Sequence, residues 1–263
     1  MKNLLHLADL PRAEIVDLLA LAARLEGTGD PQALAGKILG LLFFNPSLRT
    51  LASMQSAMAR LGGSSFVVTP GASSWKLESG SGVVMDGEAS EHVSEAIPVL
   101  AGYADVLGVR AFASGTDLAA DLADANFRTI AALSPKPLIN LESAIDHPCQ
   151  ALADWKTIDE LAVPRHGKLV LTWANHPKAL PLAVPAAVLR MAALRGMAVT
   201  VLAPEAYALP APLVAEARRL AAANGGSVVE TDDRVAALAG TAIVYAKSWA
   251  SAAHYGDAAK EVE

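Results

Sequence analysis

Ile38-Leu-Gly-Leu-Leu-Phe-Phe-Asn-Pro-Ser-Leu-Arg-Thr50 decides the fold class. Its first seven residues form an unbroken apolar run of strand length with no polar face, as in a strand covered on both sides within a parallel sheet. Asn45-Pro46 ends that run, and Ser47 opens a helical pattern that continues to Leu61. A buried strand, a turn and a helix make the repeating unit of an α/β fold.

The same alternation recurs outward from this stretch. Further buried strands are expected at Ser65 to Val68, Val106 to Ala111, Pro137 to Leu141, Lys168 to Trp173, Ala198 to Ala203, Ser227 to Glu230 and Ala242 to Ala246. Helical patterns between them include Glu91 to Tyr103, Pro148 to Leu161, Leu180 to Leu194 and Pro212 to Asn224. The expected class is α/β, with two domains that each hold a parallel sheet flanked by helices. A polar break from Ala162 to Gly167 follows the helix that begins near Pro148, so the domains are assigned to residues 1–148 and 149–263. Gly71 to Glu91 reads as a long polar loop, and loops of that length are more often functional than idle.

With 263 residues, 53% hydrophobic and 18% charged, the chain has ample apolar surface for a large core. The net charge of −6 comes with no basic block or stripe, so nucleic acid is not an expected partner. Small anions remain ligands for individual arginines. A single cysteine, Cys149, excludes an intramolecular disulfide, and Met1 to Leu10 lacks the order of a secretory leader, so a cytoplasmic location is expected. Ala179 to Leu194 is the most apolar stretch, but Pro181, Pro185 and Arg190 interrupt it. Nothing reaches the roughly 20 apolar residues of a bilayer span, and no membrane role is expected.

In the opening stretch, the Ser47 and Thr50 hydroxyls, the Arg49 guanidinium and the first backbone N–H groups of a helix converge on one point. Such a helix N-terminus binds anions. The same residues serve equally as a helix cap with a solvated surface arginine, and spacing alone leaves both readings open. A dinucleotide enzyme such as a dehydrogenase is disfavoured, because Gly80-Ser-Gly82 has Met85 at the third glycine of a Gly-x-Gly-x-x-Gly pattern and follows no strand. No Walker A sequence occurs either.

Phe43-Phe-Asn-Pro-Ser-Leu-Arg-Thr50 resembles the carbamoyl phosphate loop of the aspartate and ornithine carbamoyltransferase family. Gly108-Val-Arg110 resembles that family's second phosphate arginine, and His147-Pro-Cys-Gln150 its carbamoyl-binding His-Pro-x-Gln. The three occur in the family's order. Trp75-Lys-Leu-Glu78, Val84-Met-Asp-Gly87, Thr172-Trp-Ala-Asn-His-Pro-Lys178 and Tyr245-Ala-Lys-Ser-Trp249 are most similar to the branch that uses N-acetyl- or N-succinylornithine. The resemblance implies transfer of the carbamoyl group of carbamoyl phosphate to the side-chain amine of an Nα-acylated ornithine, in arginine biosynthesis. It implies a homotrimer in which Trp75 enters a neighbouring subunit's site, and it requires no cofactor and no metal.

On this resemblance, Ser47, Leu48, Arg49, Thr50, Trp75, Arg110, His147 and Gln150 bind carbamoyl phosphate. Arg49, Arg110 and His147 carry the catalysis, since two negative charges must be stabilised: the departing phosphate and the oxyanion of the tetrahedral intermediate. Gln150 accepts from the carbamoyl amide, and no covalent nucleophile is needed, so Cys149 reads as a small buried thiol. The acylornithine pocket takes Ser90, Glu142, His176 and Lys247. Apart from the resemblance, plainer readings hold for these four: a helix cap, a helix-start acid, a turn residue before Pro177 and a solvated strand end. The family's acetyl-specific members carry an acid at the position of Ser90, and serine there removes a repulsion against a succinyl carboxylate, so N-succinylornithine is the favoured acceptor and N-acetylornithine the next.

Two departures weigh against activity. Leu51 stands where the family loop carries a second arginine, and the family's sequences continue well beyond the Tyr245 to Trp249 region into a His-Cys-Leu-Pro segment and a final helix that this chain is expected to lack. The alternatives are accordingly a carbamoyl phosphate-binding paralogue without turnover, or a carbamoyltransferase for another amine such as ornithine.

Overall fold

The structure, a computed structural model, describes residues 3–80, 82–178, 180–257 and 260; Ser81 and Ala179, which fall in stretches read above, lie outside them. In chain order its elements begin with α1 (Arg12–Thr28), β1 (Ile38–Phe43), α2 (Leu48–Arg60), β2 (Ser64–Val68), β3 (Leu77–Glu78), β4 (Glu91–His92), α3 (Val93–Gly102) and β5 (Val106–Arg110). There follow α4 (Leu118–Leu122), α5 (Ala125–Leu133), β6 (Leu138–Glu142), α6 (Pro148–Glu160), β7 (Lys168–Trp173) and α7 (Ala183–Arg195). The last are β8 (Ala198–Leu202), α8 (Ala211–Ala223), β9 (Ser227–Thr231), α9 (Arg234–Leu238) and β10 (Ile243–Lys247). Two compact units result, one of Met1–Leu5, Asp17–Phe112 and Asp124–Ser143, the other of His6–Val16, Ala113–Ala123 and Ala144–Glu263.

The first unit is built on a parallel sheet of order β2-β1-β5-β6. Leu42, Leu107 and Val109 of the sheet pack with Val93, Ile97 and Ala101 of α3 and with Phe127 and Ile130 of α5, all buried. Gly40 sits in the middle of β1 because its neighbours fill the space: a Cβ there would lie 2.7 Å from the Phe66 ring and 2.8 Å from Leu107. Beside β6 the amino-terminal segment adds one bridge, with Leu4 N–H donating to Leu138 O at 2.9 Å and Asn140 N–H to Leu4 O at 2.8 Å.

The second unit holds a parallel sheet of order β10-β7-β8-β9. Its centre is α7, buried at every residue but Val184 and packed on α6, α8, β7 and β8. A helix apolar all round belongs inside a core. Arg190 and Arg195, each 4% exposed, lie within it because both are paired: Arg190 Nε donates to Glu216 Oε2 at 2.8 Å, and Arg195 Nε to Asp159 Oδ1 at 2.9 Å.

The α/β class and all eight expected strands are present, with no end shifted by more than one residue. The loop from Gly71 to Glu91 is less plain than its composition suggested, since Leu77-Glu78 pairs in parallel with Glu91-His92. The helix expected from Glu91 therefore starts at Val93, and its cap is His92, whose Nδ1 accepts from Ser94 N–H at 3.1 Å, rather than Ser90. The long exposed helix α1 was not among the helical patterns singled out. Among the described residues no helix is long and apolar enough to cross a membrane.

Candidate active site

In the first sheet the chain goes from β1 to β2 on one side and returns to β5 on the other, so the strand order reverses between β1 and β5. Crevices at the carboxyl ends of strands at such a reversal are where open α/β sheets bind ligands. Ser47 to Thr50 follow β1, and Arg110 ends β5 with Phe43 as its register partner. Both arms of the predicted phosphate site thus come to one end of one pair of strands. Asn45, not anticipated from sequence, ties the two ends together by accepting from Phe112 N–H through Oδ1 at 2.8 Å.

Ser47 caps the 13-residue helix α2, its Oγ accepting from Thr50 N–H at 3.3 Å and donating to Thr50 Oγ1 at 2.9 Å. The capping role is therefore real, and it holds both hydroxyls at the positive end of the helix. Leu48 and Arg49 project from the same turn, both exposed. Arg110 is buried at 8% exposure, stacks over Phe112 at 4.5 Å and pairs through Nη1 with the Glu142 carboxylate. Its Nε is buried with no hydrogen-bond partner among the described residues. Such a donor is uncommon inside proteins and marks a place where a further acceptor fits.

A register slip between Val109 and Arg110 sets Arg110 opposite Glu142. Glu142 adopts φ 147°, a conformation costly for a residue with a side chain. Fully buried Asn140 holds it there: Oδ1 accepts from Glu142 N–H at 2.9 Å, while Nδ2 donates to Leu5 O at 2.7 Å and Ser143 Oγ at 3.0 Å. Ser143 Oγ in turn donates to Asp124 Oδ2 at 2.7 Å. Glu142, read from sequence as an acylornithine ligand or a helix-start acid, ends β6 as the arginine's counter-charge. Trp75 is 59% exposed, with Nε1 donating to Glu91 Oε2 at 3.0 Å, and Ser90 is exposed with its N–H donating to Lys76 O at 3.3 Å.

In the second unit His147 is the residue before α6 and Pro148 its first, where the missing proline N–H costs nothing. The His147 N–H donates to Oδ1 of fully buried Asp146 at 2.8 Å. Gln150, on the first turn, donates from Nε2 to Asp154 Oδ1 at 2.8 Å. Cys149 is half-buried rather than a core residue; burial of its thiol, with the Asp146 carboxylate adding to it, pushes that group up to about 11, which suits an unreactive thiol.

The second sheet reverses its order between β7 and β10, where Lys247 is the register partner of Trp173 and its carbonyl accepts from Ala174 N–H at 3.0 Å. His176 and Lys247 thus share that end of the sheet. His176 Nδ1 accepts from Lys178 N–H at 3.1 Å, the turn-forming contact that its plainer reading anticipated. A cavity of about 580 Å³ opens beside β7 towards β8, lined by Thr172, Trp173, Asn175, Leu202, Glu205 and Arg234 among others; none of the predicted ligands faces it. No cluster of His, Cys, Asp or Glu suited to a metal ion occurs among the described residues.

Residues 2–160 match the family model described as aspartate/ornithine carbamoyltransferase, carbamoyl-P binding domain. The chain is 40% identical over 261 residues to an N-acetylornithine carbamoyltransferase of Xanthomonas campestris pv. campestris, covering 98% of this chain and 77% of that one. To an N-succinylornithine carbamoyltransferase of Bacteroides thetaiotaomicron it is 38% identical over 221 residues, covering 84% of this chain and 65% of the other. Two crystal structures of acetylornithine transcarbamylase match with TM-score 0.93 at 39% identity, covering 98% of this chain and 78% of theirs. One is complexed with acetylcitrulline; the other, a glutamate-to-serine mutant, is complexed with carbamyl phosphate and N-succinyl-L-norvaline. A capped helix start and a buried arginine at one strand reversal, in a chain this similar throughout, have one explanation: it belongs to the aspartate/ornithine carbamoyltransferase family.

Proposed function

We propose that the chain transfers the carbamoyl group of carbamoyl phosphate to the side-chain amine of an Nα-acylated ornithine, a step of arginine biosynthesis, in the cytoplasm and as a homotrimer. The observation that carries this reading is the meeting of the α2 start with Arg110 where the first sheet reverses its order. The carbamoyl phosphate domain is assigned to residues 1–148 and the acylornithine domain to 149–263, a division by sequence that differs from the two compact units at residues 6–16, 113–123 and 144–148.

The uncharged amine attacks the carbonyl carbon, a tetrahedral intermediate forms, the C–O bond to phosphate breaks, and the amine gives up a proton. Ser47, Thr50, the Leu48 and Arg49 N–H groups and both guanidinia hold the phosphate, which gains charge as it leaves. The unsatisfied Arg110 Nε is a donor ready for that anion. His147 polarises the carbonyl oxygen, and Gln150 orients the carbamoyl amide. Glu142, His176 and Lys247 take the acceptor, the lysine pairing with a carboxylate. Trp75 completes a neighbouring subunit's site, a role supported by its exposure on a polar loop.

N-succinylornithine is the favoured acceptor and N-acetylornithine the next. Support comes from Ser90, which is exposed and not used as a helix cap, and from the glutamate-to-serine mutant that holds a succinylated ligand. The test is citrulline-type product formation from carbamoyl phosphate with ornithine, N-acetylornithine and N-succinylornithine. The reading predicts turnover of the acylated acceptors with the succinyl form ahead. Binding of carbamoyl phosphate without turnover would identify a non-catalytic paralogue, and a tenfold preference for acetylornithine, about 1.4 kcal/mol, would remove the role given to Ser90.

A further inference from the structure

Gln150 is the one amide in the proposed carbamoyl site, and an amide works there only one way round. It must present Oε1 to accept from the carbamoyl NH2, which offers donors alone on that side. The side chain is exposed on the first turn of α6, where nothing in its own chemistry chooses between the two orientations.

The choice is made one turn further along α6. Asp154 Oδ1 lies 2.8 Å from the Gln150 amide, and an ionised carboxylate only accepts, so the contacting atom is Nε2. Asp154 is itself held, because its Oδ2 accepts from the Tyr245 hydroxyl of β10 at 3.1 Å. The Tyr245 phenol is raised well above its usual range by burial and by the Asp154 carboxylate, so it stays a donor. The Tyr245 hydroxyl and the Gln150 amide N–H both donate to the Asp154 carboxylate, one to each oxygen. We propose that Asp154 is a positioning residue that fixes the Gln150 amide with Oε1 left for the carbamoyl group, and that Tyr245 holds Asp154 for that purpose. This rests on the carbamoyltransferase reading.

The arrangement acts against local stability, which separates positioning from mere structure. Burial raises the Asp154 carboxyl, with the hydrogen bonds from Gln150 and Tyr245 only offsetting it in part. A carboxyl with a raised folded-state pKa favours folding while protonated and loses that contribution as pH rises through the folded pKa. Asp154→Asn therefore keeps the shape, removes the cost of ionisation at neutral pH and above, and allows the Gln150 amide to turn over. The expected result is an unchanged or higher Tm at neutral pH, a gain that disappears below the ordinary carboxylate range, together with a KM for carbamoyl phosphate raised about tenfold and a KM for the acylornithine unchanged. Tyr245→Phe should raise the same KM to a smaller extent, and it decides the matter if Asp154→Asn fails to fold. Wild-type KM for carbamoyl phosphate in both variants would overturn the proposal, as would an equal rise in both KM values. If the wild type turns over no acceptor, the functional reading falls separately. The Gln150 side-chain amide resonance then decides the positioning: it should shift in both variants, and an unmoved resonance would overturn it.

Discussion

Arg49 and Arg110, the two arginines proposed to hold the phosphate, stand in opposite states. Arg49 is exposed and has no ion-pair partner among the described residues, whereas Arg110 is buried and paired with Glu142. An exposed guanidinium has little structural duty, so Arg49→Ala should leave the Tm nearly unchanged while weakening carbamoyl phosphate about ten- to hundredfold, the ~1.5–3 kcal/mol of a charge-assisted hydrogen bond. Titration calorimetry checks this, and an unchanged affinity would remove the loop from the site. Cys149, with its thiol pushed up to about 11, should resist iodoacetamide in the native chain at about pH 8 while reacting fully in denaturant. Mass spectrometry reads the difference, and rapid labelling of the folded chain would mean that the thiol is not enclosed. Ser47, Arg49, Arg110, His147 and Gln150 could be nominated as candidates from sequence because a family pattern names them in order. Asn45 stood inside that pattern with no role attached to it, and Asn140 and Asp154 were not named at all, because an amide or carboxylate whose partner is another side chain leaves little local mark in the sequence.

At the scale of elements, the strands were the easiest to read, since a parallel sheet covered on both faces needs continuous apolar runs. α7 shows the limit of such reading. Arg190 looks like a break in an apolar stretch, yet it and Arg195 are both buried and matched by Glu216 and Asp159 from other elements, pairings that no short-range pattern reveals. The helix ends at Gly196 with φ 90°, a left-handed cap, and a Cβ there would come within 2.6 Å of Asn224 O. Gly196→Ala should therefore destabilise the chain by about 1–3 kcal/mol, lowering the Tm with little change in KM. Thermal unfolding tests this, and an unaltered Tm would mean the backbone relaxes freely at that cap. The slip between Val109 and Arg110 is likewise invisible in sequence, because it arises from how two strands meet.

For the whole molecule, the proposed assembly is what the family resemblance implies, with the exposed Trp75 on a polar loop as its support, and it makes a joint prediction. Sedimentation at micromolar concentration with carbamoyl phosphate present should give a trimer, and Trp75→Ala should cut turnover without lowering the Tm; a monomer that turns over at full rate would contradict the assembly. By itself the sequence determined the α/β class, the parallel sheets and the family, since these depend on the period and order of apolar runs and on motifs a few residues long. Only the tertiary structure decided that the α2 start and Arg110 share one strand reversal, that Arg110 faces Glu142 with its Nε unsatisfied among the described residues, and that a tyrosine on β10 and a glutamine on α6 donate to the same aspartate. The physical reason is distance along the chain. Capping and periodicity act within a few residues and are written locally, whereas strand register, burial of charge and hydrogen-bond direction are set by partners that folding brings from dozens of residues away.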